Sequence, residues 1–340
     1  MIRLPRFTYI AARTLAEAAT QLAEAPADTM LLGGGTDLVP NMKRRQQAPR
    51  IVVGLRGVRE LRGIHANGAL TIGATTTLTE IVADDHLRAS CPGLWQAALQ
   101  VATPHLRNMA TIGGNLCLDT RCTYYDQSQE WRQAINYCMK KDGDTCWVAT
   151  SSPKCLAVSS TDTAPMLQAL GARVRLVSAN GERSIEVADL FNNDGMAYLT
   201  RRPDEILADV TIPDQAGWRS AYWKLRRRGS FDFPVASVAV AARFGDDKSM
   251  QDIRVVLGAV ASRPLAVPRV AELAVGHTLT DDLIAALADA AFPFAKPMDN
   301  TDYELVWRKK MIKPLVTYAL REMRGDDVRE MRRKTARQLF

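Results

Sequence analysis

The residues best suited to chemistry fall in one stretch, from Thr111-Ile-Gly-Gly-Asn115 to Asp162-Thr-Ala-Pro165. A glycine pair, Gly113 and Gly114, in a strand-like sequence lets backbone amides approach a ligand closely, which suits an anion such as a phosphate. Five of the six cysteines, Cys117, Cys122, Cys138, Cys146 and Cys155, lie between that pair and Asp162. A phosphate cradle beside a group of thiols points to electron transfer. A second glycine turn, Gly33-Gly-Gly-Thr-Asp37, stands about 80 residues earlier. Alone it is equally a tight turn, since it has neither the Gly-Lys-Ser/Thr of a P-loop nor the GxGxxG of a Rossmann fold. Together the two turns can hold a pyrophosphate from opposite sides. Thr36 and Thr111 offer hydroxyl donors and Asn115 an amide. Asp162 suits a ribose diol, and it suits capping the helix that follows just as well.

Cys122, Cys138, Cys146 and Cys155 follow a C-x15-C-x7-C-x8-C spacing. Four thiolates are the ligand count of a [4Fe–4S] cluster and also of a structural zinc site. The spacing matches neither a ferredoxin run nor paired CxxC, so by itself it leaves both open. Tyr124, Tyr125, Trp131, Tyr137 and Trp147 enrich the same segment in aromatics, a shell that would limit solvent access. Cys91 and Cys117 read as small packing residues. The four histidines, His65, His86, His105 and His277, are scattered, and no catalytic acid–base pair stands out.

The elements that must position these residues follow from pattern. Phe7–Ile10, Met30–Leu32 and Arg50–Gly54 read as strands, with a capped helix from Thr14 between the first two and Leu38–Lys43 helical. That β-α-β-α-β order implies a small parallel sheet with the first glycine turn at a strand's carboxyl end. Leu70–Gly73 is a strand, Thr77-Leu-Thr-Glu80 a capping box, and Pro92–Val101 and Ala164–Leu170 are helices. Asn180-Gly181 joins Arg173–Val177 to Ile185–Val187 as a hairpin, and Glu205–Ile212 completes the region. Beyond Ala216-Gly217 the character changes. Ser220–Leu225, Ala236–Phe244 and Asp252–Val260 form an antiparallel sheet, followed by helices Pro268–Val275, Thr280–Ala291 and Asp302–Met323, the last kinked or split by Pro314.

With 340 residues, two or three domains are expected. Hydrophobic content of 47% and charged content of 24% are those of a globular protein, and no apolar run is long enough for a membrane helix. No export signal is evident, so a cytoplasmic location, with thiols rather than disulfides, is expected. The net charge of +7 gathers at Arg226–Arg228 and from Arg321 to Arg337. Without a nucleic-acid module this reads as a solvated or partner-docking surface.

Gly33-Gly-Gly-Thr-Asp-Leu38, Thr111-Ile-Gly-Gly-Asn115, Asp162-Thr-Ala-Pro165 and Asp204-Glu-Ile-Leu207 with Ile212-Pro213 carry a resemblance across nearly the whole chain. In order and spacing they resemble the FAD-binding (medium) subunit of the molybdenum hydroxylase, or xanthine oxidase, family. The resemblance implies an α/β (α+β) chain with a two-subdomain FAD-binding fold of the vanillyl-alcohol-oxidase/xanthine-oxidase type. A C-terminal antiparallel-sheet-and-helix domain of the CO dehydrogenase flavoprotein type follows. The divisions expected are 1–57, 58–216 and 217–340. By position, Leu31, Leu32, Gly33, Gly34, Gly35, Thr36 and Asp37, with Thr111, Gly113, Gly114 and Asn115, flank the FAD pyrophosphate. Asp162 takes the ribose side, Val101 and Leu207 pack near flavin or adenine, and Lys224 is a polar flavin contact.

One departure is informative. In most members the second glycine motif and the Asp-x-x-Pro segment are close, but here Asn115 and Asp162 stand 47 positions apart. The insertion, at about 117–157, holds the four cysteines. Beside a flavin it favours an iron–sulfur cluster over zinc, and it resembles the insertion of the 4-hydroxybenzoyl-CoA reductase branch. That branch implies reductive removal of a phenolic hydroxyl to give benzoyl-CoA in anaerobic aromatic degradation, with reduced ferredoxin as donor. It also implies a molybdenum-cofactor large subunit, a [2Fe–2S] small subunit and a dimer of heterotrimers. The alternatives are the flavin subunit of another molybdenum hydroxylase and a flavin-less scaffold with a zinc loop.

Overall fold

The computed structural model describes residues 3–337. Three parallel strands come first, β1 (Thr8–Ala11), β2 (Thr29–Leu32) and β3 (Ile51–Gly54), in the order β1-β3-β2. Helix Leu15–Glu24 crosses between β1 and β2 and starts where Thr14 Oγ1 accepts the Glu17 amide at 3.1 Å. Its buried face, Ala18, Ala19 and Leu22, packs with Val53, Ile206 and Ala208, so this small sheet leans on the next one.

The second sheet is antiparallel: β4 (Ile64–Asn67), β5 (Ala69–Gly73), β6 (Arg173–Ser178), β7 (Gly181–Glu186) and β8 (Ile206–Ile212), ordered β4-β5-β8-β6-β7. Helices Pro92–Leu99 and Thr163–Ala169 cover it through Leu94, Met166 and Leu167, which meet Ile72, Val174 and Val210. The third sheet, β9 (Trp218–Leu225), β10 (Ala236–Phe244), β11 (Met250–Gly258) and β12 (Leu265–Ala266), runs β12-β11-β10-β9. Its side chains alternate between two cores, as the strand period of two requires. Ala221, Trp223 and Leu225 join helices Asp281–Ala291 and Ile312–Arg324, while Tyr222, Ala239, Ala241 and Val256 join the core of the second sheet. That alternation turns Tyr222 and Lys224 toward the glycine loops.

Several expectations need correction. Thr111–Asn115 is not strand-like. Thr111 caps a short helix, Ile112–Leu116, and its Oγ1 accepts the Gly114 amide at 3.1 Å. The helix expected over Asp302–Met323 is split as foreseen, into Leu305–Lys310 and Ile312–Arg324, but at Met311 and not at Pro314. Pro314 lies in the first turn of the second, where its missing N–H leaves no bond unmade. Strand β4 and helices Asp85–Ser90, Pro104–Arg107, Gln129–Ala134 and Arg329–Arg337 were not legible, being short or lacking an apolar period.

Glu205, just before β8, is nearly inaccessible, and its carboxylate accepts Arg183 Nε at 2.7 Å and the Arg202 amide at 2.7 Å. Burial pushes its pKa up, but these bonds outweigh burial and hold it below the ordinary value. Replacing Glu205 by Ala should therefore lower stability by roughly 2 kcal/mol in denaturant titration at neutral pH. A depressed carboxylate stabilises above its unfolded value and loses that contribution as pH falls through the folded one. The difference between the two proteins should therefore vanish in acid, well below pH 4.5.

Candidate functional site

Two glycine loops meet backbone to backbone. A Cβ on Gly34 would lie 1.7 Å from the Met109 carbonyl oxygen, and one on Gly33 would lie 2.9 Å from Thr111 Oγ1. Gly35 has φ +74°, a left-handed conformation. Each glycine is therefore required for its own reason, and the loops make one seam.

Astride that seam lies a cleft of about 330 Å³, within the range of small-molecule sites. Of the residues expected at the cofactor, Leu31, Leu32, Gly33, Gly34, Gly35, Thr36, Asp37, Val101, Thr111, Gly114, Asn115 and Asp162 line it. Gly113, Leu207 and Lys224 do not form its wall. Gly113 packs on Ala74, where a Cβ would come within 2.7 Å, and Leu207 belongs to the core of the second sheet. A polar pocket of about 200 Å³ shares Gly33 and Thr111 and adds Arg56, Arg62 and Asn108, extending the site across the seam. A more open groove of about 510 Å³ near Arg254 holds none of these residues.

Asp162 lines the cleft and stands at the N-cap position of helix Thr163–Ala169, but its side chain makes no cap bond. Its buried carboxylate accepts Tyr222 Oη at 2.7 Å and Lys224 Nζ at 2.9 Å. Burial pushes the Asp162 pKa up and that of Lys224 down, against their mutual attraction. Lys224 also donates to the Gln100 carbonyl at 3.0 Å, so it supports the cleft from behind. The cap comes instead from Asn115, whose Oδ1 accepts the Thr163 amide at 3.1 Å and the hydroxyls of Thr161 and Thr163.

Arg121 escaped the sequence reading. Its guanidinium pairs with Asp37, reaches Asn41 Oδ1 at 3.3 Å, and stacks 4.5 Å from the Phe233 ring. Buried at 6% exposure, it lines the cleft with its Nε unpartnered. The only hint was a lone arginine beside Cys122.

The insertion docks against the first unit through Gln46 Nε2, which donates to the Tyr125 carbonyl at 2.7 Å. The third unit clamps it through Asn300, whose carbonyl accepts the Thr123 amide at 3.0 Å and whose Nδ2 donates to the Leu156 carbonyl at 2.6 Å. Inside it, Cys122, Cys138, Cys146 and Cys155 are buried free thiols lining one small pocket with Tyr124, Tyr125, Met139 and Trp147. Burial pushes the thiol of Cys122 up to about 12 and that of Cys155 up to about 11. Among the described residues, no group of three or more His, Cys, Asp or Glu side chains is arranged to hold a metal ion. The four cysteines therefore line one pocket without forming a single-ion site. Cys91 lies in the core and Cys117 packs against it, both as expected, and Cys117 also forms part of the cleft wall.

A parallel βαβ unit, an antiparallel α/β unit and a two-glycine-loop cleft define a dinucleotide-cofactor protein of mixed α/β class. Residues 5–215 match the FAD binding domain in molybdopterin dehydrogenase, and residues 220–323 match the CO dehydrogenase flavoprotein C-terminal domain. The chain is 31% identical to the aldehyde oxidoreductase FAD-binding subunit of Escherichia coli (strain K12), covering 92% of this chain and 98% of that one. It is 27% identical to the carbon monoxide dehydrogenase medium chain of Hydrogenophaga pseudoflava, over 91% and 95%. A solved structure of carbon monoxide dehydrogenase from Hydrogenophaga pseudoflava superposes with TM-score 0.77 at 25% identity, covering 95% and 99%. The chain belongs to the FAD-binding subunits of the molybdenum hydroxylase and CO dehydrogenase family.

Two outcomes follow for the site. Gly34→Ala should force the seam open and reduce FAD affinity tenfold or more, about 1.4 kcal/mol, read as flavin per chain after gel filtration. Lys224→Met leaves Asp162 buried without its cation and should lower stability by about 3 kcal/mol, read by thermal or denaturant unfolding.

Proposed function

We propose that this FAD subunit passes electrons between an iron–sulfur cluster in its own insertion and the redox centres of partner subunits, in a 4-hydroxybenzoyl-CoA reductase-type enzyme. The observation that carries the reading is the gathering of Cys122, Cys138, Cys146 and Cys155 on one buried pocket beside the flavin cleft. A shared pocket lined by thiols and aromatics suits a multi-iron [4Fe–4S] cluster better than a single zinc ion, whose ligands must meet about 2.3 Å from one point.

The cleft suits FAD. Leu31, Val101, Leu106 and Phe233 offer apolar surface to a ring system, and the glycine seam leaves room for a pyrophosphate. The polar pocket with Arg56 and Arg62 suits the far end of the dinucleotide. Bound there, FAD accepts electrons singly or in pairs. The chain's own residues do the rest. Arg121 holds the first glycine loop against the insertion, Asn115 fixes the helix under Asp162, and the Asp162–Lys224 pair braces the wall. Residues 1–57, 58–216 and 217–340 act as two FAD-binding subdomains and a docking domain.

By analogy with relatives named as medium chains, a large molybdenum-cofactor subunit and a small [2Fe–2S] subunit complete the enzyme. The substrate then lies on another polypeptide, and the donor is a ferredoxin in the cytoplasm. The basic helix Arg329–Arg337 is a suitable docking surface for an acidic donor. The relatives are named for aldehyde, carbon monoxide, nicotinate and xanthine chemistry. An oxidising hydroxylase subunit with an added cluster is therefore the second reading.

Anaerobically purified protein should contain four irons and one FAD per chain, the stoichiometry of one [4Fe–4S] cluster. Cys138→Ser should lose the cluster absorbance and keep the flavin. Zinc in place of iron, or iron unaffected by this substitution, defeats the proposal. Assay of the complex with 4-hydroxybenzoyl-CoA against aldehydes separates the two enzyme readings.

A further inference from the structure

The cysteine pocket and the flavin cleft have no lining residue in common, but an ion pair joins the lining of one to the lining of the other. Lys140, two residues after Cys138, is the one charged side chain among those lining the cysteine pocket. Its ammonium donates to Asp119 Oδ1 at 2.7 Å, Thr120 Oγ1 at 2.8 Å and the Gly195 carbonyl at 2.7 Å. All three donors are used, so the charge is held in place. The side chains of Lys140 and Asp119 are 6% and 5% exposed. Asp119 lines the flavin cleft on the far side, where its other oxygen accepts Tyr125 Oη at 2.8 Å. The Tyr125 ring packs among Cys122, Cys138 and Cys155, and the Lys140 ammonium lies 4.9 Å from that ring's centroid. The Gly195 amide in turn donates to the Cys155 carbonyl at 2.8 Å.

We propose that Lys140 is a positioning residue that sets the reduction potential of the group held by the four cysteines, with Asp119 as its opposing charge on the flavin side. This rests on the iron–sulfur reading above. Reduction adds negative charge to a thiolate-bound cluster. A fixed cation in a pocket of low polarity favours the reduced form, and an anion behind it opposes that. A cluster's potential depends on such local charge. Asp119 also fixes how far apart the two redox groups sit, because its hydrogen bonds from Lys140 and Tyr125 join their walls.

The test is a redox titration of the purified holoprotein, following cluster absorbance and low-temperature EPR, with iron and FAD counted in each sample. Lys140→Met should shift the cluster midpoint to more negative values, Asp119→Asn should shift it to more positive values, and Lys140→Arg should stay near the wild type. If Lys140→Met fails to fold because Asp119 is left unpaired, the double variant Asp119→Asn/Lys140→Met removes both charges, and its midpoint should still fall below the wild type. A merely structural role does not produce shifts of opposite sign. Wild-type protein with iron whose midpoint ignores all these changes overturns the Lys140 assignment alone. Wild-type protein with FAD and no iron overturns the cluster reading and the assignment with it.

Discussion

Buried charge must be answered close by, and around the flavin cleft three ion pairs meet that demand, two at boundaries between structural units and one within the insertion. Asp37–Arg121 joins the first glycine loop to the insertion. Asp162–Lys224 joins the third sheet to the helix beneath the cleft. Asp119–Lys140 joins the cleft to the cysteine pocket. Removing one partner of such a pair strands the other in a medium that solvates it poorly, whereas the intact pair adds little net stability. Their contribution is therefore geometric. Each makes one relative placement of the segments it joins much better than any other, and the cleft lies where the three placements agree.

The glycine seam sets how close the units come. Gly34 allows the Met109 carbonyl to approach as no other residue would, and Gly35 supplies the left-handed turn that brings the loop back. The insertion then adds the cysteine pocket without disturbing this frame. It packs against Gln46 on one side and Asn300 on the other, outside the three sheets. A family cleft can thus gain a second cofactor pocket by lengthening one connection, because a surface loop adds little closure entropy as it grows.

Much of this was legible in the residues. The parallel strands, the Thr77 capping box, the Asn180-Gly181 hairpin and the alternating β9–β11 segments follow directly from local pattern. The glycine loops and most of the cleft wall followed from their motifs. What escaped has a common cause. Gly113-Gly114 looked extended because glycine has poor helix propensity, yet Thr111 and the close neighbour Ala74 impose a helical turn. Asp162 looked free because its partners, Tyr222 and Lys224, lie about 60 residues away in sequence. Arg121, Asp119 and Lys140 lie in an irregular segment without charge periodicity, and only the fold shows that they face Asp37, the cleft and the cysteine pocket. Long-range pairing of isolated charges leaves no periodic trace in a sequence.

With a cluster in the cysteine pocket and FAD in the cleft, two redox groups would sit on either side of the Asp119–Lys140 pair. Anomalous X-ray scattering at the iron edge, from crystals of anaerobically purified protein, tests it most directly. The expected result is a compact iron peak enclosed by Cys122, Cys138, Cys146 and Cys155, with flavin density in the cleft beyond Asp119. Flavin density with zinc, or with four metal-free thiols in that pocket, would contradict it.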